Sequence, residues 1–256
     1  MTEMTSQIEY AEPMQSNDPA QCQFYHLMNV PGHGEVGGQW DLRPCIKEYL
    51  GNYDFSQKRA LDVGAASGFL TFEMEKQGAQ VVSFDMESGA QWDVVPQRRV
   101  RENLDAHMKM LVEANRKLKN AYWFTHARLG SKARAYYGNI YALPEALGKF
   151  DVAVMGMIIS HLRDPLLAIQ GVTQLCDTLI ITNQVYKSKE AVAAFLPTPE
   201  NQEDRVWWVF SEKCIKQILE VMGFEVVRTV TSEPMCHFYG KPRQDRCIAF
   251  VAQRRK

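Results

Sequence analysis

The sequence lacks the long apolar runs and the paired cysteines that mark membrane and metal-cluster proteins, and no signal peptide is expected. No stretch of about 18 apolar residues occurs in the 256-residue chain, so no membrane span is expected. The first residues are acidic and polar, where a signal peptide would be basic and then apolar. The six cysteines are scattered without a CxxC pair, which argues against zinc and iron–sulfur ligation. We therefore expect a cytoplasmic protein whose cysteines are reduced.

An excess of either charge is also missing. The 29 basic residues nearly balance the 30 acidic ones, for a net charge of −1. Proteins that bind RNA or DNA through phosphates usually carry a basic surface, so no nucleic-acid partner is expected. The length suits one α/β domain with additions, and an apolar fraction of 46% is ordinary for a globular protein. We expect a monomer or a homodimer that binds a small-molecule substrate.

Strands alternate with helices from residue 59 onward, which is typical of a parallel sheet with right-handed crossovers. The predicted strands are 59–63, 80–84, 133–137, 150–155 and 178–182, and the predicted helices are 69–77, 103–130 and 164–176. The last part of the chain differs. A helix at 212–222, capped by Ser211, precedes strands 224–230 and 247–252, which no helix joins. We expect these two strands to pair antiparallel at the end of a sheet that has helices on both faces.

The residues before this alternation are expected to form a tail and a lid that pack on the domain. Residues 1–21 are polar, and residues 24–38 hold one proline and four glycines, a composition typical of loops. Asp41 is predicted to cap a helix that ends at Gly51. The predicted organisation is a tail and lid segment at 1–58 and one domain at 59–256.

One segment inside the alternation is unusually long. About fifty residues separate Asp85, at the end of the second strand, from the third strand. Residues 88–101 of this segment form an addition before the helix. Long loops of this kind are often lids or binding loops, so these residues are a candidate lid.

A glycine-rich turn follows the first predicted strand and opens the first helix. Its sequence is Leu61-Asp62-Val63-Gly64-Ala65-Ala66-Ser67-Gly68, and Asp85 follows 17 residues later. Glycines let the backbone approach a ligand closely, and a carboxylate at the end of the second strand can accept both hydroxyls of a ribose. The spacing of Asp62, Gly64 and Gly68 resembles the turn of class I S-adenosylmethionine (SAM)-dependent methyltransferases. This resemblance implies a Rossmann-like doubly wound sheet, mostly parallel with an antiparallel C-terminal strand, which binds SAM and releases S-adenosyl-L-homocysteine.

The same resemblance implies a role for several residues of the cofactor site. Asp62 and Gly64 would lie near the methionine part of SAM, Asp85 would bind the ribose, and Met86 would pack on the adenine. Asn139 would read the adenine edge where many family members have Asp, and it keeps an acceptor oxygen for that role. The implied cofactor-binding residues are Asp62, Gly64, Ala65, Ser67, Gly68, Asp85, Met86, Asn139, Ile140, Met155 and Gly156.

The segment after the fourth strand holds the candidate catalytic residue, His161. An unperturbed imidazole has a pKa of about 6.5, which suits proton removal at neutral pH. Many methyltransferases resemble this His-Leu-x-Asp-Pro segment, and there the imidazole often braces the loop, so both roles stay open. The fourth strand ends in Met155 and Gly156 rather than in an acid, and the Asn/Asp-Pro-Pro-Tyr stretch of DNA amino-methyltransferases is absent. We therefore expect no metal ligand set.

Aromatic and polar residues in loops are candidates for the acceptor site, with ordinary packing or surface exposure as the alternative for each. These candidates are Tyr25, His26, Trp40, Arg43, Trp92, Trp207, Trp208 and His237, with Tyr239 close to the last of them. The charged run at 200–205 is expected to be a solvated face.

The leading hypothesis is a methyltransferase that moves the methyl group of SAM to a metabolite, a natural product or a sugar hydroxyl. A second hypothesis rests on another resemblance. The segment at 161–165, Trp207-Trp208 and Gly223-Phe224 are together similar to tRNA wobble-uridine carboxymethyltransferases, which hold a carboxylated SAM with basic and aromatic groups. A third hypothesis is a SAM-binding sensor or partner subunit without catalysis.

Overall fold

The computed structural model describes residues 8–15, 18–237 and 241–255, and a large sheet lies at the centre of this part of the chain. In chain order the strands are β1 Met28–Val30, β2 Gly34–Val36, β3 Trp40–Asp41, β4 Arg59–Val63, β5 Gln80–Met86, β6 Arg134–Gly138, β7 Phe150–Gly156, β8 Cys176–Tyr186, β9 Ala193–Phe195, β10 Trp208–Ser211, β11 Phe224–Ser232, β12 Met235–Cys236, β13 Arg243–Gln244 and β14 Cys247–Arg254. The α-helices are α1 Ile46–Tyr49, α2 Phe69–Lys76, α3 Arg98–Glu102, α4 Leu104–Leu129, α5 Pro165–Leu175 and α6 Glu212–Val221.

The sheet is parallel through its middle and antiparallel at one edge. Strands β8, β7, β4, β5 and β6 lie side by side in that order and run parallel. Strands β14 and then β11 extend the β8 edge and run antiparallel to their neighbours. The order reverses at β4, which lies between β5 and β7, so a crevice opens at the carboxyl ends of these strands. The predicted α/β fold, mostly parallel with an antiparallel C-terminal strand, is confirmed.

Apolar residues on both faces of the central strands explain this layering, because a parallel sheet is covered on both sides. Leu61 and Val63 of β4 belong to a core with α5 and α6. Ala60 faces the opposite core, with Phe69 and Leu70 of α2. The predicted parallel strands are confirmed, and β8 extends several residues beyond its predicted end.

The helix ends follow from local chemistry. The Asp164 carboxylate accepts a hydrogen bond from Leu167 N at 3.0 Å at the start of α5, and Ser211 caps α6 through Cys214 N. Helix α4 ends at Gly130, which has a φ of +61°. The predicted Ser211 cap and the long helix are confirmed. Within the described residues, no helix has an apolar stretch long enough to cross a bilayer.

Two predictions for the N-terminal segment are wrong. Residues 28–36 form the β1–β2 hairpin instead of a loop, because alternate side chains are buried and glycines at positive φ make the turn. Asp41 ends strand β3 instead of capping an α-helix. Its carboxylate accepts from the backbone N of Arg43 and pairs with the Arg43 guanidinium, so a 3-10 turn precedes the short α1. The stop at Gly51, with a φ of +68°, is confirmed.

The N-terminal segment is joined to the rest of the chain through backbone pairing. Strand β3 pairs antiparallel with β12, and His237 N donates to Gln39 O at 2.7 Å. Met28 and Val30 belong to the core that covers one face of the sheet. The proposed boundary between residues 58 and 59 stays a prediction.

We expect Gly51→Ala to destabilise the fold more than Gly130→Ala. Both glycines have a φ above +60°, so alanine costs about 1–2 kcal/mol at either site. A Cβ at Gly51 would lie 2.4 Å from Val251 Cγ2, whereas nothing lies within 4 Å at Gly130. Overpacking should add about 1–3 kcal/mol at Gly51 alone. Urea denaturation measures both variants, and equal losses would contradict the packing argument.

Candidate active site

The turn between β4 and α2 is shaped by two glycines that no other residue could replace without movement. Gly64 has a φ of +84°, and a Cβ there would lie 2.5 Å from Ile158 Cδ1. Gly68 has a φ of +90°, and its Cβ would meet Phe72 and Tyr122 within 2.8 Å. The turn therefore lies close under the loop that follows β7 on one side and against α2 and α4 on the other.

Asp85 joins the ends of β4 and β5. Its Oδ2 accepts from Ala66 N at 2.6 Å, and its Oδ1 accepts from Met86 N at 2.7 Å. Ala66 has a φ of +49°, in the left-handed region, and this conformation presents its N–H to the carboxylate. Burial raises the pKa of Asp85, and the two N–H groups and the charge of Lys119 act against that rise.

A cleft of about 1050 Å³, counted with the solvent space at its mouth, opens above this turn. Small molecules and cofactors bind in concave, mostly apolar clefts of this kind. It brings together nine of the residues predicted for cofactor, acceptor or catalysis, which are Tyr25, Gly64, Asp85, Met86, Trp92, Asn139, Ile140, Gly156 and His161. Phe84, Leu118, Ile158 and Leu162 add apolar surface.

The structure places Asp62 below this cleft. The side chain is fully buried, and burial raises its pKa to about 7. Its Oδ2 accepts a hydrogen bond from Thr71 Oγ1 at 2.6 Å. The Thr71 hydroxyl is also hydrogen-bonded to the Ser83 hydroxyl, and the Ser83 hydroxyl is hydrogen-bonded to the Tyr122 hydroxyl. Oδ1 has no hydrogen-bond partner among the described residues. Asp62 therefore ties the turn to the interior of the domain.

Of four other predicted cofactor residues, one lines the cleft, one lines a smaller recess beside it and two are buried. Ser67 is buried, and its Oγ accepts from Tyr25 N at 3.0 Å, which fastens the N-terminal segment to the turn. Ala65 lines a smaller recess described below. Met155 is buried in the core under the sheet. Asn139 is exposed at the cleft, where its Oδ1 accepts from Tyr141 N at 2.9 Å. A carbonyl oxygen has two lone pairs, so this cap leaves one acceptor site.

An inner recess continues from the cleft beside the glycine turn, and Tyr25, Gly64 and Gly156 line both spaces. Its walls include His26 and Trp40, two of the predicted acceptor residues. Burial lowers the pKa of His26 to about 3, so its imidazole is neutral. His26 Nδ1 has no hydrogen-bond partner among the described residues, which leaves one buried polar atom for a ligand.

His161 lies on the wall of the cleft. Its Nδ1 is 3.0 Å from the Arg205 carbonyl oxygen. A carbonyl can only accept, so Nδ1 carries the hydrogen, and Nε2 of the neutral ring is an acceptor. Burial lowers the pKa of His161, which favours this neutral form at pH 7.

Several predicted acceptor residues do not line the cleft. Trp207 Nε1 donates to Asp93 O at 2.8 Å, and Trp208 Nε1 donates to Arg163 O at 3.3 Å, so both indoles join loops together. Arg43 pairs with Asp41 and Glu35, and His237 is exposed. Tyr239 lies outside the described residues.

Sequence reasoning missed four polar residues of the cleft, which are Gln91, Asp93, Asn115 and Tyr141. The Asp93 carboxylate accepts from the Tyr141 hydroxyl, and also from Arg163 N at 2.8 Å. Asp93 lies in the long segment 88–101, and that unusual length was the available signal. These bonds connect the segment to the loop that carries His161.

The comparison with known proteins agrees with this geometry. The sequence matches the family described as "Methyltransferase domain" over residues 41–229, which is most of the chain. The chain belongs to this methyltransferase family. It is a SAM-dependent methyltransferase, as the turn at 61–68 and Asp85 predicted. A search of curated proteins with the sequence finds no match.

Solved structures share the fold of this methyltransferase. Magnesium protoporphyrin IX methyltransferase from Synechocystis PCC 6803, with bound S-adenosylhomocysteine, is 15% identical with a TM-score of 0.53, over 84% of this chain and 82% of that one. A 1,6-didemethyltoxoflavin-N1-methyltransferase from Burkholderia thailandensis is 15% identical with a TM-score of 0.52, over 84% and 78%. A SAM-dependent methyltransferase from Methanosarcina mazei is 20% identical with a TM-score of 0.51, over 84% and 98%.

The residues of the cleft fit SAM. The partly exposed Asp85 carboxylate can accept from ribose hydroxyls with the lone pairs that the turn leaves open. Met86 and Ile140 offer apolar surface for a purine ring. The inner recess, with its unpartnered His26 Nδ1, adjoins the glycine turn where the methionine part is expected. We therefore infer that Asp85, Met86, Ile140 and the turn hold the cofactor.

We expect Asp85→Ala to raise the Kd for SAM by about a hundred-fold or more, since charge-assisted hydrogen bonds contribute about 1.5–3 kcal/mol each. Calorimetry with SAM measures the change. Glu87→Ala is the matched control, because Glu87 is an exposed acid two residues away that does not line the cleft. Unchanged SAM affinity in folded Asp85→Ala would exclude the ribose role.

We expect His26→Phe to change how stability depends on pH. Below about pH 6.5 the unfolded chain protonates His26, whereas the folded protein does so only near its pKa of about 3. His26 therefore costs stability as pH falls through this window. Asp62, with its pKa raised to about 7, gains stability as pH falls, but it is present in both proteins and so does not change the difference between them. Between pH 7.5 and 4.5, urea denaturation should show the variant gaining about 2–3 kcal/mol relative to wild type. A constant difference would contradict the burial of a neutral His26.

Proposed function

We propose that this methyltransferase transfers the methyl group of SAM to an oxygen, nitrogen or activated carbon of a small uncharged or cationic molecule, without a metal. The observation that carries this proposal is the lining of the cleft. No lysine or arginine is among the described residues that line it, whereas the carboxylates of Asp85 and Asp93 both do. Such a lining favours hydrogen-bond donors and disfavours carboxylate or phosphate groups.

The segment 88–101, which lines one side of the cleft, supports the proposal of a small acceptor. Trp92 and Asp93 of the segment 88–101 line the cleft. Asp93 is held by hydrogen bonds from Arg163 N to its carboxylate and from Trp207 Nε1 to its carbonyl, and neither donor residue lines the cleft. Two structures with this fold are named for small acceptors, magnesium protoporphyrin IX and 1,6-didemethyltoxoflavin, so the fold accommodates such molecules. A cytoplasmic location and a monomeric or homodimeric state stay predictions from the sequence.

His161 is the candidate general base. SAM supplies a methyl group already activated by a sulfonium, so orientation of the acceptor provides much of the rate. The Nε2 atom of His161 can take the proton that a hydroxyl or amine acceptor loses, because Nδ1–H is held by the Arg205 carbonyl. Ser160, which precedes it, accepts from Asn183 Nδ2 at 2.9 Å, and this bond orients the loop.

The lining of the cleft also bears on the tRNA hypothesis. A carboxylated SAM needs a cation to balance its extra carboxylate, and RNA needs cations for its phosphates. Lys119 lies near Asp85 but outside the cleft lining, with Nζ bound to Glu87 O at 2.7 Å. The described cleft therefore favours ordinary methyl transfer.

Labelling tests the proposed function. Purified protein would be incubated with methyl-labelled SAM and a cell extract divided into cationic, neutral and anionic small molecules, polysaccharide, RNA and protein. We expect label among cationic or neutral small molecules. Label in RNA would support the tRNA hypothesis, and label in anionic molecules would contradict the acceptor chemistry. SAM binding without any label would favour the sensor.

We expect His161→Ala to lower turnover by about a hundred-fold with little change in SAM affinity. The wild-type rate should fall as pH drops through the pKa of His161, with a midpoint below the ordinary value of about 6.5, because burial lowers that pKa. His33→Ala is the control, since His33 is exposed and does not line the cleft. Near-normal turnover of His161→Ala would leave the imidazole a structural role.

A further inference from the structure

One buried carboxylate, Asp204, belongs to neither the cofactor site nor the acceptor site. The expectation that residues 200–205 form a solvated face is wrong for this residue, which is 7% exposed. Its Oδ2 accepts from Arg99 Nη2 at 2.8 Å, and its carbonyl accepts from Val95 N at 2.9 Å. Asp204 is thus held by side-chain and backbone bonds from the segment that precedes α4.

The next residue along the chain connects this anchor to the candidate base. The Arg205 carbonyl oxygen is 3.0 Å from His161 Nδ1. On the other side, Trp207 N donates to Ser160 O at 2.8 Å. The residues from Asp204 to Trp207 therefore meet the His161 loop at two points. The Glu203 carboxylate shapes this turn locally, because its Oε1 accepts from Arg205 N at 2.9 Å and from Val206 N at 3.1 Å. Asp204, by contrast, fastens the turn to the segment before α4.

The position of this carbonyl decides which ring nitrogen of His161 carries the hydrogen. A neutral imidazole has one N–H and one acceptor nitrogen, and the partner of one nitrogen sets the role of the other. With Nδ1–H on the carbonyl, Nε2 has a lone pair for a proton. Without that partner, the ring could place its hydrogen on Nε2, and the acceptor would lose its base.

We propose that Asp204 is a positioning residue for His161: anchored by Arg99 and Val95, it holds the Arg205 carbonyl on His161 Nδ1 and so maintains the tautomer that can accept a proton at Nε2. The catalytic consequence rests on the proposed role of His161 as base, but the tautomer itself does not.

The long segment 88–101 acquires a second role from this connection. Besides lining the cleft with Trp92 and Asp93, it holds the 202–207 turn through Arg99, and Gln97 Nε2 donates to Glu203 O at 3.1 Å. The charged and titratable groups near Asp204 are Arg99, Arg205 and His107, whose Nε2 is 3.8 Å away. A displacement of this segment would therefore move Asp204 and, with it, the Arg205 carbonyl that contacts His161.

Nitrogen-15 NMR of the labelled protein at pH 7.5 tests the proposal without an identified acceptor. Two-bond proton–nitrogen correlations distinguish the tautomers, and His161→Gln assigns the His161 signals. We expect Nδ1–H in the wild-type protein and, in Asp204→Ala, a fall of about three- to ten-fold in the ratio of Nδ1–H to Nε2–H, the effect of losing one ordinary hydrogen bond. Arg99→Gln is the second variant, because its half-exposed side chain allows substitution if Asp204→Ala fails to fold.

Two controls make the result specific. Glu200→Gln changes an exposed acid of the same loop and should leave the His161 tautomer unchanged. His126 is an internal reference, because its Nε2 is 2.9 Å from Ala133 O and its hydrogen should stay on Nε2 in every variant. Nε2–H on wild-type His161, or Nδ1–H retained in both folded variants, would overturn the proposal.

Turnover separates this proposal from the proposed function. With the labelled SAM assay, Asp204→Ala should lower turnover while SAM binds with unchanged affinity. A tautomer shift together with normal turnover of His161→Ala would support the positioning role and refute His161 as base. An unshifted tautomer together with inactive His161→Ala would refute the positioning role alone.

Discussion

The backbone turn that joins β4 to α2 is the constraint on which the rest of the site depends. Two glycines at positive φ and Ala66 in the left-handed region let the turn present an N–H to the Asp85 carboxylate. That bond holds the carboxyl ends of β4 and β5 together, at the point where strand order reverses. Beneath it, the Asp62–Thr71–Ser83–Tyr122 chain of hydrogen bonds connects the turn to α2, β5 and α4. The turn inferred to hold the cofactor is therefore supported from below by buried hydrogen bonds.

The acceptor side of the cleft is assembled differently. Three segments that are distant in sequence, at 88–101, 158–164 and 202–207, meet there through backbone and side-chain hydrogen bonds. Each bond is ordinary in strength, but together they surround His161 and limit its ring to one tautomer. The long segment 88–101, a candidate lid by its length, is held in place by these hydrogen bonds. In the proposed mechanism it positions His161 as well as lining the cleft.

In the proposed function, the residues that line the cleft, rather than the fold itself, select the substrate. Under that proposal the cleft has a SAM-binding half and an acceptor half, and function depends on such sites rather than on the fold alone. Here the acceptor half combines apolar surface with acceptor atoms from Asp93 and His161. The nearby arginines are engaged with partners outside the lining, as Arg99 is with Asp204. For the proposed acceptors, selectivity would arise from the exclusion of anions as much as from favourable contacts.

Much of the fold was determined by the sequence alone, because periodic burial and turn chemistry act over a few residues. The parallel strands, the long helix, the antiparallel C-terminal pair and the tight turn at Gly64 all depend on such local patterns. The β1–β2 hairpin escaped prediction because its strands are three residues long and four glycines lie in or beside it. Only the tertiary structure placed Asp62 under the cleft and showed that Trp207 and Trp208 join loops together. It also placed Asp93 and Tyr141 in the same cleft as His161, and it placed Asp204 next to the residue whose carbonyl contacts His161. These contacts join residues tens of positions apart, and no local pattern records which distant partner a polar side chain will meet.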